Sequence, residues 1–579
     1  MKSRTYLYLD FIHELGNGAY ELEGFIGGRK VELGSCYLSV NNQRVHLTYN
    51  KRKQSQDFLS EQDPIPNSTF KTVVHAPEDG VFSLKAYAEN KKITIRANRF
   101  TGLSSLFVSY TAKGTELISL SRGVVTIAPK TIYRHAWLEL KTLISIMVNW
   151  RVLHAGKKIF RAEDSQQIIR QFIKGVATVL EALAMIPRDI LLRIAYIYMK
   201  RRKARPIWII SDRLMAAGDN GEILFDYIQK QKNVPADVFF ILSKKSSDYK
   251  RLSLKGRVLQ PRSLKYYLYF LLSDLVISSQ ADIEVINPFF RQIDRLVGLF
   301  NYDFVFLQHG IIRYDLSSWL NRYNRNIKLF ITSSVSERDS ILNYNYYDEN
   351  TVLLSGLPRY DRLQSTATSK LIIAPTYRKN LLASNSKKDG TRKYNPNFKT
   401  TEYYKFYSQL LQDDDIAKVL RSRSLKGEFF IHPVFSEQVT DFEGTDVFEI
   451  MRHPYDYNKA FCESALFVTD YSSVVFDVAY MRKPIIYAQF DQELFLREHI
   501  TGETLIFDDK NDGFGPVCAD FASVKKEIIK ALNSNWEMPQ KYKNRVDRYF
   551  EFRDIKNTER VYHAILELAK NQSKTSKSI

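Results

Sequence analysis

At 579 residues the chain exceeds what one hydrophobic core serves, so roughly three or four domains are expected. An apolar fraction of 44%, 26% charged residues, 35 Tyr and 36 Phe exclude extensive disorder. The formal charge of +20 favours partners rich in phosphate or carboxylate, yet no zinc-finger spacing or RNA-binding signature accompanies it, so nucleic acid is not selected.

Cys36, Cys462 and Cys518 are widely spaced and form neither a metal pattern nor a disulfide framework, which suits a reducing compartment. The opening Met1-Lys2-Ser3-Arg4-Thr5-Tyr6 does not read as a signal peptide. The most apolar stretches, Ala136–Leu153 and Tyr266–Ser279, are broken by Glu139 and Lys141 and by Asp274. Neither makes a membrane span, so any membrane contact is expected to be peripheral.

Residues 1–130 carry short alternating runs, among them Tyr6–Ile12, Tyr20–Ile26, Ser35–Val40, Arg44–Tyr49, Val81–Ala86, Lys92–Arg96 and Leu106–Tyr110. Turn residues such as Gly16-Asn17-Gly18 separate them, and the spacing predicts a small β-sandwich or open barrel. Over 131–205 the period becomes helical. Ser165–Ile186 carries an apolar stripe, Pro187 interrupts it, and Arg188–Lys203 resumes with a basic end, Lys200-Arg201-Arg202-Lys203. That segment reads either as a basic amphipathic helix lying on an anionic bilayer or as a linker with a solvated end.

From Pro206 short apolar strands alternate with helices. The first series, residues 206–365, includes strands Pro206–Ile210, Asp237–Leu242, Leu275–Ser278, Phe304–Leu307, Leu329–Thr332 and Thr351–Leu354. The second, 366–545, runs through strand Leu371–Ala374, helix Thr401–Gln412, strands Glu428–Ile431 and Leu466–Thr469, helix Ser473–Tyr480 and strand Pro484–Tyr487. Both series predict doubly wound parallel sheets, hence two lobes with a cleft that suits a nucleotide-type donor. Residues 546–579 hold the end of a helical stretch, Arg545–Ala569, and a frayed tail from Asn571.

Ligands of open α/β sheets bind at the carboxyl ends of the strands. Four such ends stand out. Gln308-His309-Gly310 places an imidazole beside a flexible glycine, where it could accept a proton from an attacking hydroxyl. His432-Pro433 ends a strand of the second series and could bond a phosphate. Read alone, His309 is better explained as a capping or core residue, and His432 is also explained as a strand-end turn residue fixed by Pro433. Thr469-Asp470-Tyr471-Ser472-Ser473 leads from a buried strand into a helix, whose N-terminal N–H groups and the serine hydroxyls favour an anion. A simple N-cap would need fewer polar residues. Ala374-Pro375-Thr376-Tyr377-Arg378 offers a guanidinium that can clamp phosphate oxygens, although read alone a solvated basic pair with Lys379 at a loop start is the better reading.

In order and spacing these residues resemble the CDP-glycerol glycerophosphotransferase family, the polymerases and primases of teichoic acids and related capsules. The resemblance covers roughly residues 206–545. It rests on Gln308-His309-Gly310, Gly356-Leu357-Pro358-Arg359-Tyr360-Asp361, Ala374–Arg378, His432-Pro433, Thr469–Ser473 with Phe476-Asp477, and Pro484–Asp491. It implies a GT-B-type α/β fold of two doubly wound lobes, preceded by the β-domain and helical linker. It implies His309 as the base and Arg378, His432, Thr469, Asp470, Ser472, Ser473 and Asp477 as donor or phosphate contacts. Gln308, Gly310, Gly356, Pro358, Arg359 and Asp491 are the other expected cleft residues. No metal and no cofactor are implied. The implied partners are a CDP-polyol donor, an anionic polyol-phosphate polymer or lipid-linked acceptor, and an anionic membrane surface at the cytoplasmic face, with no nucleic acid. Many members follow His-Gly with Thr-Pro-Leu-Lys, whereas this chain has Ile311-Ile312-Arg313-Tyr314, and Pro-Arg-Asn-Asp is here Pro358-Arg359-Tyr360-Asp361. The first departure adjoins the expected base and leaves acceptor preference open. The competing readings are a nucleotide-sugar glycosyltransferase on the same fold and a polymer- or membrane-binding scaffold without turnover.

Overall fold

The computed structural model describes residues 5–27, 31–49, 64–77, 80–97, 109–110, 116–121, 123–147, 185–289, 296, 299–317, 319–366, 370–382, 392–452, 456–498, 506–534 and 536–577. The chain divides into two compact units. Residues Met1–Leu307, Ser317–Phe330 and Tyr562–Ile579 form the first, and Gln308–Leu316 with Ile331–Val561 form the second.

In the first unit, the N-terminal residues build a mostly antiparallel sheet, in which Tyr6–Gly16 pairs in parallel with Lys91–Ala97, around a core of alternate strand residues, among them Leu7, Leu22, Leu38, Phe70, Leu84 and Ile127. Strand Tyr6–Gly16 pairs with Ala19–Gly27, which pairs with Pro64–His75. The alternation predicts most of these strands, but not Pro64–His75, Glu116–Ser121 or Val124–Pro129. The first of these opens Pro-Ile-Pro, a composition that ordinarily argues against a paired strand. The expected strand Leu106–Tyr110 falls mostly outside the described residues, whose strand is Ser109–Tyr110.

Helix Ile132–Met147 follows, and residues 185–202 are helical through Pro187 rather than restarting after it. Most of the predicted stripe Ser165–Ile186 lies outside the described residues. Buried Arg193 donates to Glu139, with Nη2 3.0 Å from Oε1, and ties the two helices together.

The first unit also holds a parallel sheet in the order Val258–Leu259, Asp237–Ile241, Ile207–Ser211, Leu275–Ser278, Asp303–Phe306, Ile327–Thr332. The order doubles back on the first strand, as in doubly wound folds. At its switch point the buried Asp212 carboxylate accepts from the N–H groups of Asp219, Gly221 and Glu222 and from Ser279 Oγ. The chain thus supplies its own carboxyl oxygens to the N–H groups at the start of helix Asn220–Gln229.

The second unit repeats that winding. Its parallel sheet runs Phe448–Met451, Lys426–Phe430, Lys370–Ile373, Ser464–Thr469, Ile485–Ala488, Val517–Cys518. The strands read as near-continuous apolar runs because helices cover both faces; Ser464–Thr469 is buried at every residue. Phe406, Leu410, Leu420, Val468 and Ile528 belong to the core cluster on one face. The predicted helix Arg545–Ala569 is two helices, Gln540–Tyr549 and Asn557–Lys577, and the second continues through the tail expected to fray.

Candidate active site

The switch point of the second sheet lies between strands Lys370–Ile373 and Ser464–Thr469, whose carboxyl ends carry Ala374–Arg378 and Asp470–Ser473. Two bonds stitch these ends together. Thr469 Oγ1 donates to the Ala374 carbonyl (2.8 Å), and the Thr376 N–H donates to Asp470 Oδ1 (2.8 Å). The backbone N–H of Tyr471 also donates to Asp470 Oδ1, at 2.6 Å.

Arg378 completes this frame from beneath. Its Nε and Nη2 meet both oxygens of Asp491 at 2.6 and 3.0 Å, Nη2 lies 2.9 Å from Asp470 Oδ2, and Nη1 donates to the Thr376 carbonyl at 2.6 Å. The residue is 3% exposed. The guanidinium expected to clamp donor phosphate is, in this structure, engaged by two buried carboxylates. Asp470 and Asp491 share that role, and Tyr471 Oη donates to Asp491 Oδ1 (3.1 Å). Buried Thr469, Asp470, Arg378 and Asp491 hold the turn in shape.

Ser472 and Ser473 are half-buried, in the turn that enters helix Val475–Tyr480. The predicted helix start at Ser473 shifts accordingly, because Val475 and Phe476 N–H groups close tight turns on the Ser472 and Ser473 carbonyls. Asp477, in the first turn of the helix, is held by Arg359, with Nε and Nη2 at 2.9 and 2.8 Å from its two oxygens. Asp477 is thus an ion partner of arginine in this structure, not an open contact.

Arg359 has a second task. Its Nη1 donates to the His309 carbonyl (2.5 Å), so one guanidinium joins the His309 segment to the helix after the serine turn. On the same segment Gly310 lies against Ser473: a Cβ there would stand 2.8 Å from Ser473 Oγ. The imidazole-bearing segment and the serine turn are thereby neighbours, and His309 is exposed.

The His309 segment bends at Gln308, whose φ of 61° lies in the left-handed region. Buried Glu337 holds that bend. Its Oε1 accepts from Gln308 Nε2 (3.1 Å) and from the Ile312 N–H (3.0 Å), and its Oε2 accepts from the Ser333 N–H (2.8 Å). Gln308 Nε2 also donates to the Ile331 carbonyl (2.6 Å). Burial pushes the Glu337 carboxyl above its ordinary range, against the hydrogen bonds it accepts. Glu337 is the residue that sequence reasoning missed. Its signal was Ser334-Val335-Ser336-Glu337 after a buried strand, the spacing of a capping box; Ser334 does cap the Glu337 N–H.

The neighbouring motifs act as struts. Gly356 has φ 75°, and a side chain there would overlap Asn557. Pro358 opens the short turn that carries Arg359, and Asp361 accepts from the Asn557 and Thr558 N–H groups (2.9 and 2.7 Å). Arg313, in the segment that departs from Thr-Pro-Leu-Lys, is buried and donates to Asp509. Its carbonyl accepts the Ile506 N–H at 2.9 Å.

His432 is half-buried at the end of strand Lys426–Phe430. Its Nδ1 accepts the Val434 N–H (3.2 Å), which puts the proton of the neutral ring on Nε2 and makes that nitrogen a donor. Tyr377, two residues beyond Pro375, packs on the ring with centroids 4.8 Å apart. Of the expected site residues, His309, Gly310, Ser472 and Ser473 form one neighbourhood. His432 joins the Ala374–Arg378 loop through Tyr377.

A serine turn at a doubly wound switch point, next to the segment that carries exposed His309, sits where α/β enzymes bind their ligands. The chain belongs to the CDP-glycerol:poly(glycerophosphate) glycerophosphotransferase family, whose sequence profile matches residues 192–567. The minor teichoic acid biosynthesis protein GgaB of Bacillus subtilis (strain 168) is 40% identical over 371 residues, 64% of this chain. The match spans 40% of GgaB, well under that protein's full length. A solved structure of the wall teichoic acid polymerase TagF superposes with a TM-score of 0.50 at 14% identity, covering 70% of this chain and 98% of that one. At that identity the likeness speaks for the fold.

Proposed function

We propose that the protein transfers a polyol phosphate, glycerol phosphate or ribitol phosphate, from a CDP-polyol to a hydroxyl of a teichoic acid-like or capsular polymer or its lipid-linked primer. The proposed fold class is the GT-B type. The observation that carries the reading is the contact of Gly310 with Ser473, which sets His309 beside the serine turn.

In this mechanism the acceptor oxygen attacks the phosphorus next to the polyol. His309 takes the hydroxyl proton, the new P–O bond forms, and the diphosphate P–O bond breaks with its electron pair leaving on CMP. The Ser472 and Ser473 hydroxyls and the His432 Nε2–H stabilise the charge that gathers on the departing phosphate. Arg359, Glu337 and the Arg378 frame supply alignment, a contribution that can equal proton transfer. Turnover of His309→Ala with CDP-glycerol and with CDP-ribitol tests this. Near-wild-type release of CMP would remove His309 as the base, and release of a nucleoside diphosphate from a nucleotide sugar would favour a glycosyltransferase instead.

The proposed place of action is the cytoplasmic face of an anionic membrane. Support comes from helix Ile132–Met147, where Ile132, Tyr133, Trp137, Leu140 and Ile144 are exposed, and from the helix over 185–202, where Leu191, Ile194 and Tyr198 are exposed above Arg201 and Arg202. Among the described residues no helix is long and apolar enough to cross a membrane. Flotation with anionic liposomes at rising salt is the check, and absence of binding at low salt would sink this part.

A further inference from the structure

The N-terminal β-domain carries two ordered rows of side chains on one sheet face. Strand Tyr37–Val40 lies between Gln43–His46 and Phe82–Ala88, and Lys91–Ala97 lies beyond. Tyr37 stands opposite His46 on one side and Tyr87 on the other, and Tyr87 stands opposite Lys92. In the next row Ser39 stands opposite Arg44 and Lys85. The alternate residues Leu38, Val40, Leu84 and Ala86 point the other way, into the core.

Arg44, His46 and Lys92 are exposed, and Tyr37, Lys85 and Tyr87 are half-buried. The Tyr37 and Tyr87 rings stack, 5.1 Å apart and 9° from parallel, and the Arg44 guanidinium sits 4.0 Å over the Tyr37 ring. A guanidinium held over a ring loses little freedom on binding an anion. The two rows contain no Asp or Glu, and among the described residues Arg44, Lys85 and Lys92 make no ion pair. Elsewhere in the same domain, by contrast, Lys71 is neutralised by Glu21 and Glu23.

We propose that this face binds a phosphodiester-linked polyol chain, as a holding surface separate from the transfer site. Arg44 and Lys85 stand two strand spacings apart across Ser39, roughly 10 Å between backbones, and Lys92 extends the set of cations in the neighbouring row. A ligand with repeated charges can engage these cations at more than one point. Both faces of the Tyr37 ring are taken, by Arg44 and by Tyr87, so it offers no platform on which a nucleic-acid base would stack. No large aliphatic side chain projects from the rows, which separates this face from a membrane-inserting one. The choice of polymer rests on the transferase reading above; the surface itself does not.

The test uses the full chain and end-labelled poly(glycerol phosphate) freed of lipid. Arg44→Ala/Lys85→Ala should weaken binding at least about ten-fold at low salt and reduce the salt slope by about one to two. Lys230→Ala, exposed and distant in sequence, should bind like wild type. Transfer of a single unit to a short acceptor should stay at the wild-type rate in both. If the double variant melts early, Lys85→Gln/Lys92→Gln takes its place. Unchanged polymer affinity overturns the proposal. So does equal binding of single-stranded DNA of matched charge, or a loss seen only with phosphatidylglycerol vesicles. Should the wild type turn over neither CDP-glycerol nor CDP-ribitol, the transferase reading falls, while the binding comparison still decides the surface.

Discussion

Glu337 bonds both Gln308 and Ile312, so one buried carboxylate closes the two ends of the segment that carries His309. The left-handed bend at Gln308 has a cost, of order 1 kcal/mol or more for a residue other than glycine, and this closure offsets it. Glu337→Gln replaces one acceptor oxygen by an NH2 group that faces N–H donors. We expect kcat to fall about ten-fold with donor KM little changed, and stability to drop by about 1–3 kcal/mol. Steady-state kinetics alongside thermal melting separate the two effects; a loss of stability with unaltered kcat would make Glu337 purely structural.

Gly310 and Ser473 should be coupled. The Gly310→Ala methyl would press on Ser473 Oγ from 2.8 Å, so the segment or the serine must shift. A several-fold rise in donor KM is expected. Ser473→Gly removes the obstructing oxygen, and the double variant should recover part of the loss caused by the alanine. A double-mutant cycle should return a coupling of about 0.5–3 kcal/mol; additivity would mean the two do not touch in the working enzyme.

Arg378 should report mainly through folding. Arg378→Ala leaves Asp470 and Asp491 buried without their cation, a change that costs about 3–5 kcal/mol. Lysine cannot reproduce the paired bonds to Asp491 and should rescue little. The midpoint of chemical denaturation is the measurement. Wild-type stability with a large rise in donor KM would instead return Arg378 to the role of a phosphate clamp.

Asp212 gives the first unit a defined pH response. Burial, and then the charge of Asp219, push its carboxyl up to about 7 from 3.8. Between those values the folded protein holds a proton that the unfolded chain has released. The stability due to this group is therefore full below about pH 3.8, declines as pH rises, and is lost above about 7. Asp212→Asn should flatten that part of the profile. Denaturation midpoints of both proteins from pH 5 to 8 check it, and parallel profiles would exclude Asp212 as the source.

The motifs around the site were legible because strand ends advertise themselves: a buried apolar run followed by Gln308-His309-Gly310, by His432-Pro433 or by Thr469–Ser473 needs only local pattern to be noticed. Element boundaries were less secure, since Pro64–His75 and the start of helix Val475–Tyr480 depend on partners outside their own segments. The role of charged residues was least legible. An arginine consumed as frame and a phosphate clamp look alike in sequence, and the two carboxylates that neutralise Arg378, Asp470 and Asp491, lie much further along the chain, Asp491 by 113 positions.

Sequence alone determined the succession of strands and helices, the doubly wound pattern of both parallel sheets, and the polar residues at their carboxyl ends, because periodicity and turn chemistry are local properties of the chain. Tertiary structure alone decided which of those polar residues remain near the surface and which are consumed as frame. His309, Ser472, Ser473 and His432 stay exposed or half-buried, whereas Arg378, Asp470, Asp477 and Asp491 neutralise one another or Arg359. The reason is physical: a buried charge must find its counter-charge, and the partner is set by how distant segments pack, not by the residues beside it.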